Sequence, residues 1–196
     1  MLIRGSDILQ KSILSLQTGT ELALTKNFVI DPADLAILAF ELDGDQLTDS
    51  PTLLRIQDIR ELSSIGFIVD SIDEFISKGF VIKIGEIFEL NFAPVGMKVI
   101  DSKNRTVGKV VDIIIDTDSF MINQLAVKRP LFQRINTTEI LIGRDQITAI
   151  NNDTIVVSAP TSESTDRELS ASVKLFTNPF KETKSPKPAT SSKELN

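Results

Sequence analysis

The stretch that decides the fold is Val107-Gly-Lys-Val-Val-Asp-Ile-Ile-Ile115, then Asp116-Thr-Asp-Ser119, then Ile122-Asn-Gln-Leu-Ala-Val-Lys128. Two runs heavy in β-branched residues flank a short cluster of Asp, Thr and Ser, residue types whose side chains bond the nearby backbone and favour turns. The pattern predicts a β-hairpin. Phe28-Val-Ile30, Asp31-Pro-Ala-Asp34 and Leu35 to Leu42 have the same form, and predict a second hairpin.

Laying Asp31 over Asp116 carries Phe28-Val-Ile30 onto Ile113-Ile-Ile115, Leu35 onto Phe120, Ile37 onto Ile122, Phe40 onto Leu125 and Leu42 onto Val127, all at a shift of 85 residues. After a small gap, Leu54-Arg-Ile56-Gln-Asp58-Ile59 falls over Ile140-Leu-Ile142-Gly-Arg-Asp145-Gln-Ile147, and Gly66-Phe-Ile-Val69 falls near Thr154-Ile-Val-Val157. Agreement at four places argues an internal duplication. The clearest helical signal is Ser71-Ile-Asp-Glu74-Phe-Ile-Ser-Lys-Gly79, with a capping-box start and a glycine stop. Residues 80–93 fit neither period and read as a structured connector.

The resulting string is a turn-rich entry, a strand, an Asp-led hairpin, a second strand, a short strand running into an Asp-containing loop, and a last strand. It resembles the PRC-barrel family. In the second copy Gly96-Met-Lys-Val99-Ile-Asp101 and Thr106-Val-Gly108-Lys109-Val110-Val-Asp112-Ile113 look like the family's entry. In the first copy Ile8-Leu-Gln-Lys-Ser-Ile-Leu-Ser-Leu-Gln-Thr-Gly19 resembles the opening, but Leu22-Ala-Leu24 stands where Gly-Lys-Val is expected. The resemblance spans residues 5–70 and 94–158. It implies a mainly β fold: two tandem small PRC-type β-barrels with a short helix and connector between them and a disordered C-terminal tail. The expected domains are 1–78, a connector 79–93, a second barrel 94–159 and a polar tail 160–196. In known relatives the module docks other molecules; they include the cytoplasmic domain of the photosynthetic reaction-centre H subunit and the C-terminal half of the ribosome maturation factor RimM. This chain has no anchor of the H-subunit kind and no Tyr with which to build the aromatic motif that opens the RimM domain, so neither specific function transfers.

Composition narrows the function. Hydrophobic residues make up 41% and charged residues 24% of the 196, enough for one sizeable core or two small ones. His, Cys, Trp and Tyr are all absent, and the aromatic content rests on 11 Phe. Without His or Cys there is no Ser-His-Asp or Cys-His catalysis, no zinc site of the usual kind and no disulfide. No cofactor is expected. Residues 1–160 carry 15 basic against 22 acidic side chains, which disfavours direct nucleic-acid binding and suits a basic, or a membrane-associated, protein partner. Homo-oligomers stay open. No secretory signal follows Met1, so the expected location is cytoplasmic. The best apolar run, Leu35 to Phe40, is far short of the ~20 residues of a membrane-spanning helix.

Asp43-Gly-Asp45 with Asp49 lacks the alternating ligands and closing Glu of a calcium loop and reads as a solvated turn. Asp31, Asp34, Asp116 and Asp118 read as turn carboxylates in preference to an acid–base pair. Asn136-Thr-Thr138 has the form of a glycosylation acceptor but no secretory context. In the tail, Val173-Lys-Leu-Phe176 with Phe180 reads as residual apolar content or a short docking segment. The candidate partner-binding residues are Lys128, Arg129, Pro130, Leu131, Phe132 and Arg134, where cations, a proline and a phenylalanine coincide between two strands. The expectation is a non-enzymatic adaptor or protein-interaction module; the alternative is a ribosome-assembly accessory resembling RimM that binds a ribosomal protein.

Overall fold

In a computed structural model of the chain, residues 1–48, 50–130 and 139–158 are described. They lie in one compact unit. The fold is mainly β with one short helix. Its strands are β1 (Leu2–Arg4), β2 (Ser12–Ser15), β3 (Glu21–Asp31), β4 (Ala36–Asp43), β5 (Thr52–Arg55), β6 (Glu61–Leu62), β7 (Phe67–Val69) and β8 (Phe75–Ser77). After the helix α1 (Ile82–Glu89) come β9 (Lys98–Asp101), β10 (Thr106–Asp116), β11 (Met121–Lys128), β12 (Glu139–Gly143), β13 (Ile147–Ile150) and β14 (Thr154–Val157). The expected tail, 160–196, lies outside the described residues.

The two Asp-led hairpins form as the turn chemistry requires. Asp31 Oδ1 accepts from Ala33 N at 3.0 Å, Asp34 Oδ1 from Ala36 N at 3.1 Å, and Asp116 Oδ1 from Asp118 N at 3.2 Å. These carboxylates hold turns by satisfying backbone donors. Beyond the turns the ladders of the two halves coincide: Asp31↔Ala36 and Ile30↔Ile37 in β3·β4 answer to Asp116↔Met121 and Ile115↔Ile122 in β10·β11. Both long strands carry register shifts at matching places, between Thr25 and Asn27 and between Val29 and Ile30, then between Val110 and Asp112 and between Ile114 and Ile115. Bulges of this kind bend a strand and raise its twist, so the two hairpins curve alike. β2 to β7 and β9 to β14 also pair in the same order, including the parallel pairs β2·β7 and β9·β14.

All the strands belong to one 14-stranded sheet whose path, β13-β14-β9-β10-β11-β4-β3-β2-β7-β6, does not close on itself. Separately closed barrels were the expectation; the ladder instead runs through both halves. The reason is non-local. Ile37 N donates to Phe120 O at 2.8 Å and Ile122 N donates to Leu35 O at 3.0 Å, which joins β4 to β11. Each half also lends the segment that precedes it to its neighbour. β1 adds to β10 in antiparallel register, and α1 packs on β3. One cluster of buried side chains draws on both halves, with Phe40, Phe67, Ile113, Ile122, Leu125 and Ile155 all fully enclosed. Burial of each is worth roughly 1.5–3 kcal/mol.

Two local expectations change. Over 71–79 the helix is only a 3₁₀ turn, Ile72–Glu74, capped by Ser71 Oγ, which accepts from Asp73 N at 3.1 Å. Phe75 to Ser77 then pair with β5, because a sheet edge offers backbone partners without the nucleation cost of a lone helix. The helix forms instead at Ile82–Glu89, inside the connector. There Ile84, Ile87 and Phe88 cover Val29, Ala39, Leu53 and Ile76 in a small second cluster. The register after the hairpins also differs: Leu54 occupies the place of Ile142, each opposite the equivalent residue of its neighbour, Phe40 or Leu125.

Candidate partner-binding site

Lys128 ends β11, exposed, with Lys109 of β10 opposite on one side and Glu139 of β12 on the other. Arg129 and Pro130 follow, half-buried. Leu131, Phe132 and Arg134 lie outside the described residues, as does Asn136-Thr-Thr138. The strand ending at Lys128 explains the Gly of Gly-Lys-Val. A Cβ on Gly108 would stand 2.4 Å from the Lys128 carbonyl oxygen and 2.7 Å from Val127 Cγ1, so the strands meet closely only because no side chain intervenes. The first half holds Ala23 at that place, with Leu24 and Thr25 where Lys109 and Val110 stand, so the match is Ala-Leu-Thr and not Leu-Ala-Leu. The small residue has moved across the ladder to Gly44, whose Cβ would lie 3.2 Å from Ala23 Cα.

A larger feature lies at the seam of the halves. A cleft of about 680 Å³ is lined by Ile3 of β1, by Ile56, Ile59 and Leu62 around β6, and by Phe120 at the tip of the second hairpin. Lys11, Arg60, Glu61 and Asp118 supply its charged lining. Phe120 is held there by rings: its centroid is 6.3 Å from Phe40, edge-on at 82°, and 6.5 Å from Phe67. Arg60 pairs through its guanidinium with both oxygens of Asp70, which holds the Asp70 carboxyl below its ordinary range. Exposed on both sides, that pair adds little stability but fixes where the charge sits. Sequence reasoning missed this cleft. Its signal was the apolar spacing Ile56, Ile59, Leu62 beside a polar strand too short to read, and an aromatic at position 120 where the first hairpin has Leu35.

A buried carboxylate clips the first half's leader to the second half. Asp112, only 7% exposed, accepts from Ser6 Oγ at 2.7 Å, Ser6 N at 3.2 Å and Ile113 N at 2.8 Å. Arg4 spans from Asp112 to Glu139 Oε1 at 2.6 Å, and that bond is first among the causes raising its pKa. Such charge-assisted contacts position a segment. Among the described residues no group of three or more acidic side chains is placed to hold a metal ion. No helix among them is long and apolar enough to cross a membrane. Asp43 precedes, and Asp45 lies within, a turn closed by Leu47 N donating to Gly44 O, and Asp49 lies outside the described residues.

Residues 92–164 match the PRC-barrel domain, which agrees with the resemblance read over the second half. No curated protein matches the chain.

Proposed function

We propose that the chain is a non-catalytic PRC-barrel protein that serves as a protein-interaction or adaptor module. In this reading residues 1–78 and 94–159 are diverged copies of one PRC-type barrel module, joined by the connector 79–93. The observation that carries it is the seam cleft, apolar within and charged of both signs around it, lined by residues from both halves. A surface of that composition suits a protein segment that brings apolar side chains and flanking charges, and an exposed concave apolar patch is the usual mark of such a role. The loop from Lys128 to Arg134 provides a second contact, on the far end of β11.

The test is capture of a partner from native lysate by the tagged chain, with two variants beside it: Ile59→Asp in the cleft and the double change Phe132→Ala, Arg134→Ala in the loop. Loss of one dominant companion in either folded variant supports the adaptor. Capture unchanged in both removes it. The ribosome-assembly alternative separates by co-sedimentation with small-subunit precursors.

A further inference from the structure

We propose that a cavity between β3 and the connector binds a small, neutral, aromatic molecule that carries one hydrogen-bond donor. The cavity, of about 270 Å³, has apolar walls of Phe28, Ile30, Phe88, Phe92 and Ile113. Asn27 and Glu41 stand in the same lining. It shares no lining residue with the seam cleft and does not depend on the adaptor reading.

The two halves differ at this place, and the difference makes the space. In the second half the leader lies along β10, with Leu2, Ile3 and Arg4 paired to Asp116, Ile115 and Ile114. Ser6 N then donates to Asp112 Oδ1 at 3.2 Å, and Gly5 packs so closely that an added Cβ would stand 2.6 Å from Ile113 Cγ1. Backbone fills that flank. In the first half the leader is the helix α1, which covers Val29, Ala39, Leu53 and Ile76. Val29, Ile30 and Asp31 pair with β4 alone among the described residues. Asn27 and Phe28, the equivalents of Asp112 and Ile113, line the cavity where the other half has its leader.

Size and surface set the class of ligand. A dry cavity of roughly 150 Å³ among Leu, Ile and Phe takes benzene, so about 270 Å³ has room for one ring or a fused pair. Phe28, Phe88 and Phe92 give such a ring aromatic neighbours. Glu41, the one charged group among the described lining residues, selects the head. Its side chain is 15% exposed; Oε1 accepts from Lys26 Nζ at 2.8 Å and Oε2 from Asn27 Nδ2 at 2.7 Å. A carboxylate has about four acceptor positions, which leaves room for a ligand N–H or O–H. Lys26 already offsets the charge, so a cationic ligand gains little. An anion would meet Glu41 and lose its water among apolar walls.

The probe is indole, offered to the full chain. With no Trp or Tyr in the sequence, indole fluorescence is read without protein background. Saturable binding with a dissociation constant no higher than about 1 mM is expected, a modest affinity because so small a ligand has few atoms to contribute. Methyl resonances of Ile30, Ile87 and Ile113 should shift while those of Ile3 and Ile59 in the seam cleft stay in place. 1-Methylindole, which lacks the donor, should bind about tenfold more weakly, and so should indole-3-acetate. Glu41→Leu should erase most of the difference between indole and 1-methylindole; the comparison of ligands on the unaltered chain stands if that variant fails to fold. N-acetyltryptophanamide should bind more weakly than indole, because its amides would have to follow the ring between apolar walls. No saturation at millimolar indole overturns the proposal, as do shifts confined to Ile3 and Ile59, or equal binding of indole and 1-methylindole. Binding of N-acetyltryptophanamide as tight as that of indole also overturns it, and gives the cavity to a side chain of a partner protein.

Discussion

Ile37 and Phe120 are joined across the two halves by a backbone hydrogen bond of 2.8 Å, and the counterpart bond, Ile122 to Leu35, measures 3.0 Å. The acceptors, Leu35 and Phe120, are equivalent residues, and both sit in the left-handed region, at φ 56° and 51°. Such a backbone costs a non-glycine residue roughly 1–2 kcal/mol. Here it turns each hairpin tip so that its carbonyl meets the other half and its side chain enters the shared core, where Leu35 is 4% exposed. The halves are locked together by their tips.

Replacing Phe120 with alanine removes the ring that packs on Phe40 and Phe67. Chemical denaturation should show a loss of about 2–3 kcal/mol, toward the low side for Phe→Ala because Phe120 is partly open to the cleft.

Fragments 1–78 and 79–159 should each lack a native amide spectrum alone and regain it on mixing. Each half's leader lies on the other: β1 on β10, and α1 on β3. Native dispersion from either fragment by itself would contradict that interdependence.

Gln10 and Gly96 hold equivalent turns, ahead of β2 and β9. Gln10 N donates to Thr25 O at 2.7 Å and Gly96 N donates to Val110 O at 2.9 Å, at φ 59° and 96°. Gln10→Gly should raise stability by about 0.5–1 kcal/mol, while Gly96→Ala should lower it by at least about 1 kcal/mol. Thermal melts of the two variants check the opposite signs.

Gly108→Ala forces a methyl group to 2.4 Å from the Lys128 carbonyl, so β10 and β11 must separate. A cost of about 1–3 kcal/mol is expected from overpacking, and less than about 1 kcal/mol for Ala23→Gly at the equivalent place.

Asp101 accepts from the backbone of Arg105 at 2.9 Å, from the Arg105 guanidinium, and from Lys103 N at 2.8 Å, contacts that hold its carboxyl below the ordinary range. Because the folded value is depressed, its contribution is present above the unfolded value, about 3.9, and is lost as pH falls through the folded one. Asp70, held down by Arg60, acts in the same direction. Unfolding midpoints should therefore drop on acidification below about pH 4, and Asp101→Asn should flatten that dependence while lowering the midpoint at neutral pH.

The sequence by itself determined the two Asp-led hairpins, the residues of most strands and the shift of 85 that relates Asp31 to Asp116. Those follow from local chemistry: β-branched runs extend, Asp side chains close turns on their own backbone, and both signals lie within a few residues of one another. Ile82–Glu89 was not legible as the helix, because what selects it is the apolar surface of Val29, Ala39, Leu53 and Ile76 that it covers, and that surface exists only after the sheet has formed. Phe75 to Ser77 became a strand for the same kind of reason, the waiting edge of β5. The sequence offered the cations Lys128 and Arg129 at the end of β11 as a candidate, whereas the seam cleft gathers Ile3, Ile59 and Phe120 from three distant segments. Only tertiary structure decided that the sheet runs through both halves and that their leaders are exchanged, since each of these is settled by backbone pairing between residues far apart in the chain.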